Sequence, residues 1–178
     1  MAIDEKAIVG AMRTDAEKGF RLLMQNYKEP VYWHIRRLVV SYDDAQDVAQ
    51  ETFLKIYRSF SQYTDSGSLT AWIYKIATNE ALRLIGKKAQ EAQAILPSQM
   101  LAEGFADEYV DYDDAMGVKF QRAILSLPDK QRIVFNLRYY DELTYGEIAE
   151  IVGSTAVNVK ANYHLAKERI VKYIKAND

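Results

Sequence analysis

Trp72, Lys75, Asn79 and Arg83 recur at intervals of three or four residues, which places an aromatic ring, two cations and an amide on one stripe of a helix. That set can hold unstacked bases: a ring to stack on, cations for phosphates and an amide for base edges. Phe60 and Tyr63, in the preceding loop-like stretch SFSQYTDSGS (residues 59–68), add further stacking platforms. Taken alone, the commoner meaning of such a stripe is a solvated helix face.

A second set lies in LTYGEIAEIVGSTAVNVKANYH (residues 143–164), which has the spacing of a helix-turn-helix. Ala149 lets two helices approach, Gly153 sits in the tight turn, and Val159 plugs the second helix onto the first. The second helix then offers Thr155, Val157, Asn158, Lys160, Ala161, Asn162 and His164. Asparagine pairs with adenine, lysine with guanine or phosphate, and small side chains let a helix sit deep in the major groove. Such spacings also arise by chance in plain helical bundles. A third set, Asp47, Gln50 and Glu51 in DDAQDVAQETFLKIY (residues 43–57), shares a polar helix face. Asp43 and Asp44 suit a helix N-terminus through the dipole; the alternative is a docking face for a basic partner helix.

Enzyme chemistry finds little material. His34 and His164 are far apart and outside any ligand-spaced cluster, and there is no cysteine, Gly-rich phosphate loop or nucleophile elbow. The acidic cluster Asp107–Asp114 lacks calcium-loop spacing. The expectation is a non-enzymatic protein with no metal, cofactor or small-molecule substrate.

The elements that must position these residues follow from periodicity. Helices are predicted over about 4–26, from Val31 after Pro30 to about Val40, from Asp43–Asp44 through Tyr57, and from Leu69 to about Ile85 with Gly86 as C-cap. A second helical group starts near Val118: one helix through Leu127, one opened by Pro128-Asp129 and ending near Tyr140-Asp141, then the two helices of the motif. Thr144-x-x-Glu147 reads as a capping box, and Ser154 or Thr155 caps the last helix, which runs to about Ile174. No strand signal appears.

Charge divides the chain in the same way. Residues 1–88 carry 13 Lys+Arg against 11 Asp+Glu, residues 89–117 carry seven acids and no base, and residues 118–178 carry ten bases against seven acids. The overall −2 thus hides two mildly basic blocks around an acidic one. The fold expected is all-α: two small helical domains, 1–88 and 118–178, joined by a flexible acidic linker over 89–117. The absence of cysteine, of a signal sequence at the N-terminus and of a long apolar run predicts a cytoplasmic protein without direct membrane insertion.

With these residues laid out, the chain resembles the extracytoplasmic-function (ECF) sigma factors, the small two-domain class of the sigma-70 family of bacterial transcription initiation factors. DAQDVAQETFLKIY (44–57) resembles that family's polymerase-gripping helix, and AWIYKIATNEA (71–81) its promoter-melting helix in region 2. LSLPDKQRIVF (125–135) with residues 143–174 resembles region 4. The resemblance implies a region 2-like four-helix bundle and a region 4-like helix-turn-helix domain. It further implies that Asp47, Gln50 and Glu51 contact core RNA polymerase, and that Asn79, Trp72 and the 60–68 loop capture a flipped base of the −10 element. The helix from Thr155 would recognise the −35 element, the acidic linker would thread the polymerase's basic RNA exit channel, and an anti-sigma factor would restrain the protein. The family's VKSRLHRA recognition pattern has arginines where this chain has Asn162 and Leu165. Two rivals stand beside this reading: a stand-alone helix-turn-helix regulator, and a non-initiating module that titrates another regulator.

Overall fold

The computed structural model describes residues 3–64, 67–91 and 114–178, which form eight α-helices and one 3-10 turn, with no strand among them. In the first block, α1 (Glu5–Thr14) is capped by Asp4, whose carboxylate accepts from Ala7 N at 3.0 Å. Asp15, extended at φ −147°, then ends α1 and caps α2 (Ala16–Val39) by accepting from Lys18 N. The two helices close tightly at Gly19, where a Cβ would fall 2.2 Å from Met12 N. Only glycine fits there.

The first helical break therefore lies at Asp15, and Pro30 stands inside α2 rather than between two helices. An interior proline removes one N–H and costs about 3 kcal/mol. Burial of Leu23, Tyr27, Val31 and Ile35 around it, at about 1.5–3 kcal/mol per large apolar side chain, offsets that cost. α3 (Tyr42–Ser59) is capped by Ser41 and runs into a 3-10 turn at Phe60–Gln62. α4 (Leu69–Glu91) continues through Gly86, which is helical and not a cap.

The second block holds α5 (Ala115–Leu125), α6 (Asp129–Tyr139), α7 (Tyr145–Val152) and α8 (Ala156–Ala176). It has a core of its own: Ala123, Ile124, Leu127, Phe135, Ala166 and Ile170. Its other face joins the core of the first block, since Ile133, Leu137, Leu143, Ile148 and Val159 belong to one cluster with Leu69, Ile73 and Ala77 of α4. The two blocks thus share a seam, with α7 lying on α4. The linker expected over 89–117 falls mostly outside the described residues; residues 89–91 finish α4 and residues 115–117 open α5.

Candidate nucleic-acid and polymerase interfaces

The N-terminus of α4 is held by two carboxylate or hydroxyl groups. Ser68 Oγ accepts from Ala71 N at 3.2 Å, and Glu5, reaching across from α1, accepts from Leu69 N and Thr70 N, both at 3.0 Å. Thr70 and Ser68 hydroxyls also donate to Glu5, at 2.8 and 3.1 Å. Burial pushes the Glu5 carboxyl up, but these donors outweigh it and hold the group below its ordinary range. Tyr27, hydrogen-bonded to Thr70 at 2.7 Å, is pushed up to about 12 by burial.

On this anchored helix Trp72 is half-buried, whereas Lys75, Asn79 and Arg83 are exposed. The loop brings Phe60 and Tyr63 to Trp72: ring centroids lie 6.0 Å apart for Phe60–Tyr63, 5.4 Å for Tyr63–Trp72 and 6.3 Å for Phe60–Trp72. Tyr63 Oη donates to Gly67 O at 2.9 Å, which ties the loop shut. Arg83 pairs with Glu80, whose side chain is only 5% exposed and also pairs with Lys55 on α3. Thus all six residues expected to meet a melted strand lie on α4 or the segment leading into it, beside a prebuilt aromatic cluster.

The helix-turn-helix folds as its spacing requires. Thr144 and Glu147 form a reciprocal capping box on α7, Gly153 takes the left-handed conformation at φ 68°, and Thr155 Oγ1 caps α8 by accepting from Asn158 N at 3.1 Å. A non-glycine residue at Gly153 would be strained. Ala149 and Val159 are buried at the crossing, and Ala166 and Ile170 continue the packing face. Tyr163 stacks on Phe135 with centroids 5.7 Å apart. Val157 (78% exposed), Asn158, Lys160, Ala161 and His164 stand exposed on α8, and Asn162 is half-exposed. Thr155 is exposed as well, with its hydroxyl engaged as the cap.

Asp47, Gln50 and Glu51 are exposed on α3. The first two line an open groove of about 740 Å³ between α2 and α3, floored by Phe20, Met24, Tyr32 and Phe53. Leu54 stands beside them, 42% exposed. An apolar floor whose rim holds Glu29, Asp47, Gln46 and Gln50 beside one cation, Lys28, suits a helix that carries both apolar and basic side chains.

The residues that periodicity did not single out are those of the seam. Asp141, expected only as a helix end, is 5% exposed and accepts from Tyr74 Oη of α4 at 3.1 Å. His34 is fully buried, as its apolar neighbours suggest, and its Nε2 is 2.8 Å from Thr78 Oγ1. The unused sequence signal was a lone histidine and an arginine pair on a helix with apolar residues on every other side.

The geometry has parallels. The family model for Sigma-70 region 2 matches residues 23–91, and that for Sigma-70 region 4 matches residues 117–170. The chain is 30% identical over 169 residues to the ECF RNA polymerase sigma factor SigW of Bacillus subtilis, covering 89% of this chain and 90% of that protein. It is 28% identical over 178 residues to the ECF RNA polymerase sigma-E factor of Escherichia coli K12, covering 94% and 93%. Among solved structures, the fold matches the sigma factor RpoE in complex with the anti-sigma factor NepR from Bartonella quintana. The TM-score is 0.71 at 22% identity, over 90% of this chain and 99% of that one. It also matches CnrH in complex with the cytosolic domain of CnrY, with a TM-score of 0.75 at 16% identity, over 98% and 99%. The chain belongs to the ECF sigma factors, the transcription initiation factors built from sigma regions 2 and 4.

Proposed function

We propose that this chain binds core RNA polymerase through the α2–α3 groove, directs it to promoters through α8 and α4, and opens DNA by capturing an unstacked base, without catalysis of its own. The observation that carries the reading is the pairing of two unlike nucleic-acid faces on one chain. One is an aromatic cluster beside exposed Lys75 and Asn79; the other is a bare, small-residue helix held out by a helix-turn-helix. The first suits single strands, by stacking worth about 1–3 kcal/mol per base. The second suits a duplex groove.

In this reading Phe60, Tyr63, Trp72, Lys75, Asn79 and Arg83 engage the −10 strand. Thr155, Val157, Asn158, Lys160, Ala161, Asn162 and His164 face the −35 duplex, and Asp47, Gln50 and Glu51 meet the polymerase. The domains expected at 1–88 and 118–178 extend to the end of α4 at Glu91 and the start of α5 at Ala115, the acidic stretch between them follows the RNA exit channel, and the site of action is the cytoplasm. An anti-sigma factor restrains the protein, a reading supported by the structural relative RpoE, which is in complex with the anti-sigma factor NepR. The test is reconstitution: core enzyme plus this protein, run-off transcription on genomic fragments, and sequencing of the 5′ ends. The expected result is a set of transcripts absent with core alone, whose starts share two upstream elements. No such transcripts, or duplex binding by the free protein at nanomolar concentration, would favour a stand-alone regulator instead.

A further inference from the structure

Beside the aromatic cluster, the end of α1, the end of α3 and the 3-10 turn enclose a second cleft, of about 460 Å³. Arg13 of α1 and Arg58 of α3 stand exposed on it, with the rings of Tyr57, Phe60 and Tyr63 and the buried side chain of Met12. No carboxylate is among the described residues that line it. Asp15, close by in the chain, is engaged at the start of α2, where it accepts from Lys18 N at 3.2 Å. The groove between α2 and α3 is the opposite case, with Glu29 and Asp47 beside Lys28. The two recesses follow one another along α3 and carry opposite charge.

Helix dipoles explain part of this. Arg13 and Arg58 each lie in the last turn of their helix, where the negative end favours a cation. The dipole does not call for three rings at the same place. Tyr57 meets Phe20 at 76°, with centroids 5.1 Å apart, and remains 49% exposed. Phe60 and Tyr63 lie nearly parallel, at 24°, and both also approach Trp72, at 6.3 and 5.4 Å. The 60–63 turn is therefore a wall common to this cleft and to the cluster on α4. The Arg58 guanidinium has no ion-pair or hydrogen-bond partner among the described residues.

Rings and arginines without an acid suit a nucleotide, whose base takes a ring face and whose phosphate takes a guanidinium. The cleft also falls within the range of about 300–1,000 Å³ usual for small-molecule sites.

We propose that this cleft is a second nucleotide pocket, which takes one further nucleotide of the single strand engaged at α4. The base stacks on Tyr57 and Phe60, and the phosphate meets Arg58 and Arg13. The proposal rests on the reading of α4 given above. A strand held on both sides of the 60–63 turn is pinned at two points, so the second contact forms within one complex rather than as a new encounter. Ring faces and guanidinium groups accept every base, so the pocket holds the strand without reading it.

The test uses holoenzyme reconstituted with this chain and the non-template strand of a promoter it opens, scanned with single abasic sites. The wild type should show two sensitive positions. Sensitivity at one should vanish in Asn79→Ala, and at the other in Tyr57→Ala and in Arg58→Ala. Each of the latter two should weaken strand binding about fivefold, the low end for one stacked base. Arg58→Ala should also lower the slope of log affinity against log salt by about 0.7, one phosphate contact on a single strand, whereas Tyr57→Ala should leave it unchanged. Association with core enzyme should match the wild type in both. Tyr57→Leu keeps the apolar bulk without the ring, and serves if the alanine variant loses stability.

A single sensitive position, or wild-type strand binding in folded variants of both residues, would overturn the pocket. Lost core association in a folded Arg58→Ala would overturn it too, by giving the cleft to the polymerase. Saturable micromolar binding of free deoxynucleoside monophosphates would do the same, by making a free ligand the occupant. If the wild-type holoenzyme opens no promoter, the reading of α4 fails instead. The cleft is then decided on the free chain by photocrosslinking a single-stranded oligonucleotide that carries thiothymine. A crosslink at Tyr57 that is lost in Arg58→Ala is expected, and no crosslink there would overturn the cleft as well.

Discussion

The faces on α4 and α8 are built by opposite strategies. On α4 the residues proposed to read the strand are tied to the core: Trp72 packs against Phe60 and Tyr63, exposed Arg83 is paired with buried Glu80, and the helix start is clamped by Glu5. On α8 the residues proposed to read the duplex stand largely exposed, and the anchoring is on the opposite side of the helix, through Val159, Ala166 and Ile170. The difference follows from the targets. A melted strand is floppy, so its receptor must be rigid and must repay unstacking, which costs on the order of a few kcal/mol. A duplex is already rigid, and a helix need only be held at the right depth.

The largest expected effect breaks the α8 side at its anchor. Val159→Asp would bury an unpaired carboxylate at a fully buried site and should cost about 4 kcal/mol or more. Thermal unfolding should show the helix-turn-helix melting early, with −35 recognition lost. Next is Glu51→Lys, which places a like charge before a basic partner and should weaken polymerase association about tenfold, or roughly 1.4 kcal/mol. The melting temperature should stay unchanged, because Glu51 is exposed. Co-migration with core enzyme would measure it.

Glu5→Gln tests the clamp on α4 and should cost about 1 kcal/mol at neutral pH. The wild-type carboxyl is held below its ordinary 4.5, so its stabilising share is present above that value and disappears as pH falls through the lower folded value. Denaturation curves of wild type and variant should therefore differ at pH 7 and converge towards pH 3. The smallest effect is Val157→Ala, which should leave stability within about 0.5 kcal/mol. Binding selection on randomised −35 sequences should nonetheless shift at thymine positions, where a valine methyl meets the base methyl.

Much of this was legible in the chain. The capping box at Thr144, the turn at Gly153 and the plug at Val159 are local devices, and local chemistry is what sequence displays. The Trp72–Arg83 stripe was legible as a stripe, but the meeting of Phe60, Tyr63 and Trp72 depends on how a loop closes. The break at Asp15 stayed hidden because apolar residues continue on both sides of it, and Pro30 misled because tertiary burial overrode its helix-breaking tendency. Gly86 looked like a cap although α4 runs on to Glu91. The seam was beyond reach: Asp141 and His34 are 107 positions apart, and nothing in either neighbourhood names the other. Long-range polar pairing leaves no periodic trace.

The division of labour between the two faces is tested most directly by permanganate footprinting of promoter complexes formed with wild-type or Asn79→Ala protein, alongside nuclease protection of the −35 element. Thymines at the −10 element should react in the wild-type complex and lose most of that reactivity in the variant, while −35 protection and polymerase binding stay unchanged. Equal thymine reactivity in the two complexes, or loss of −35 protection together with −10 opening, would contradict the account.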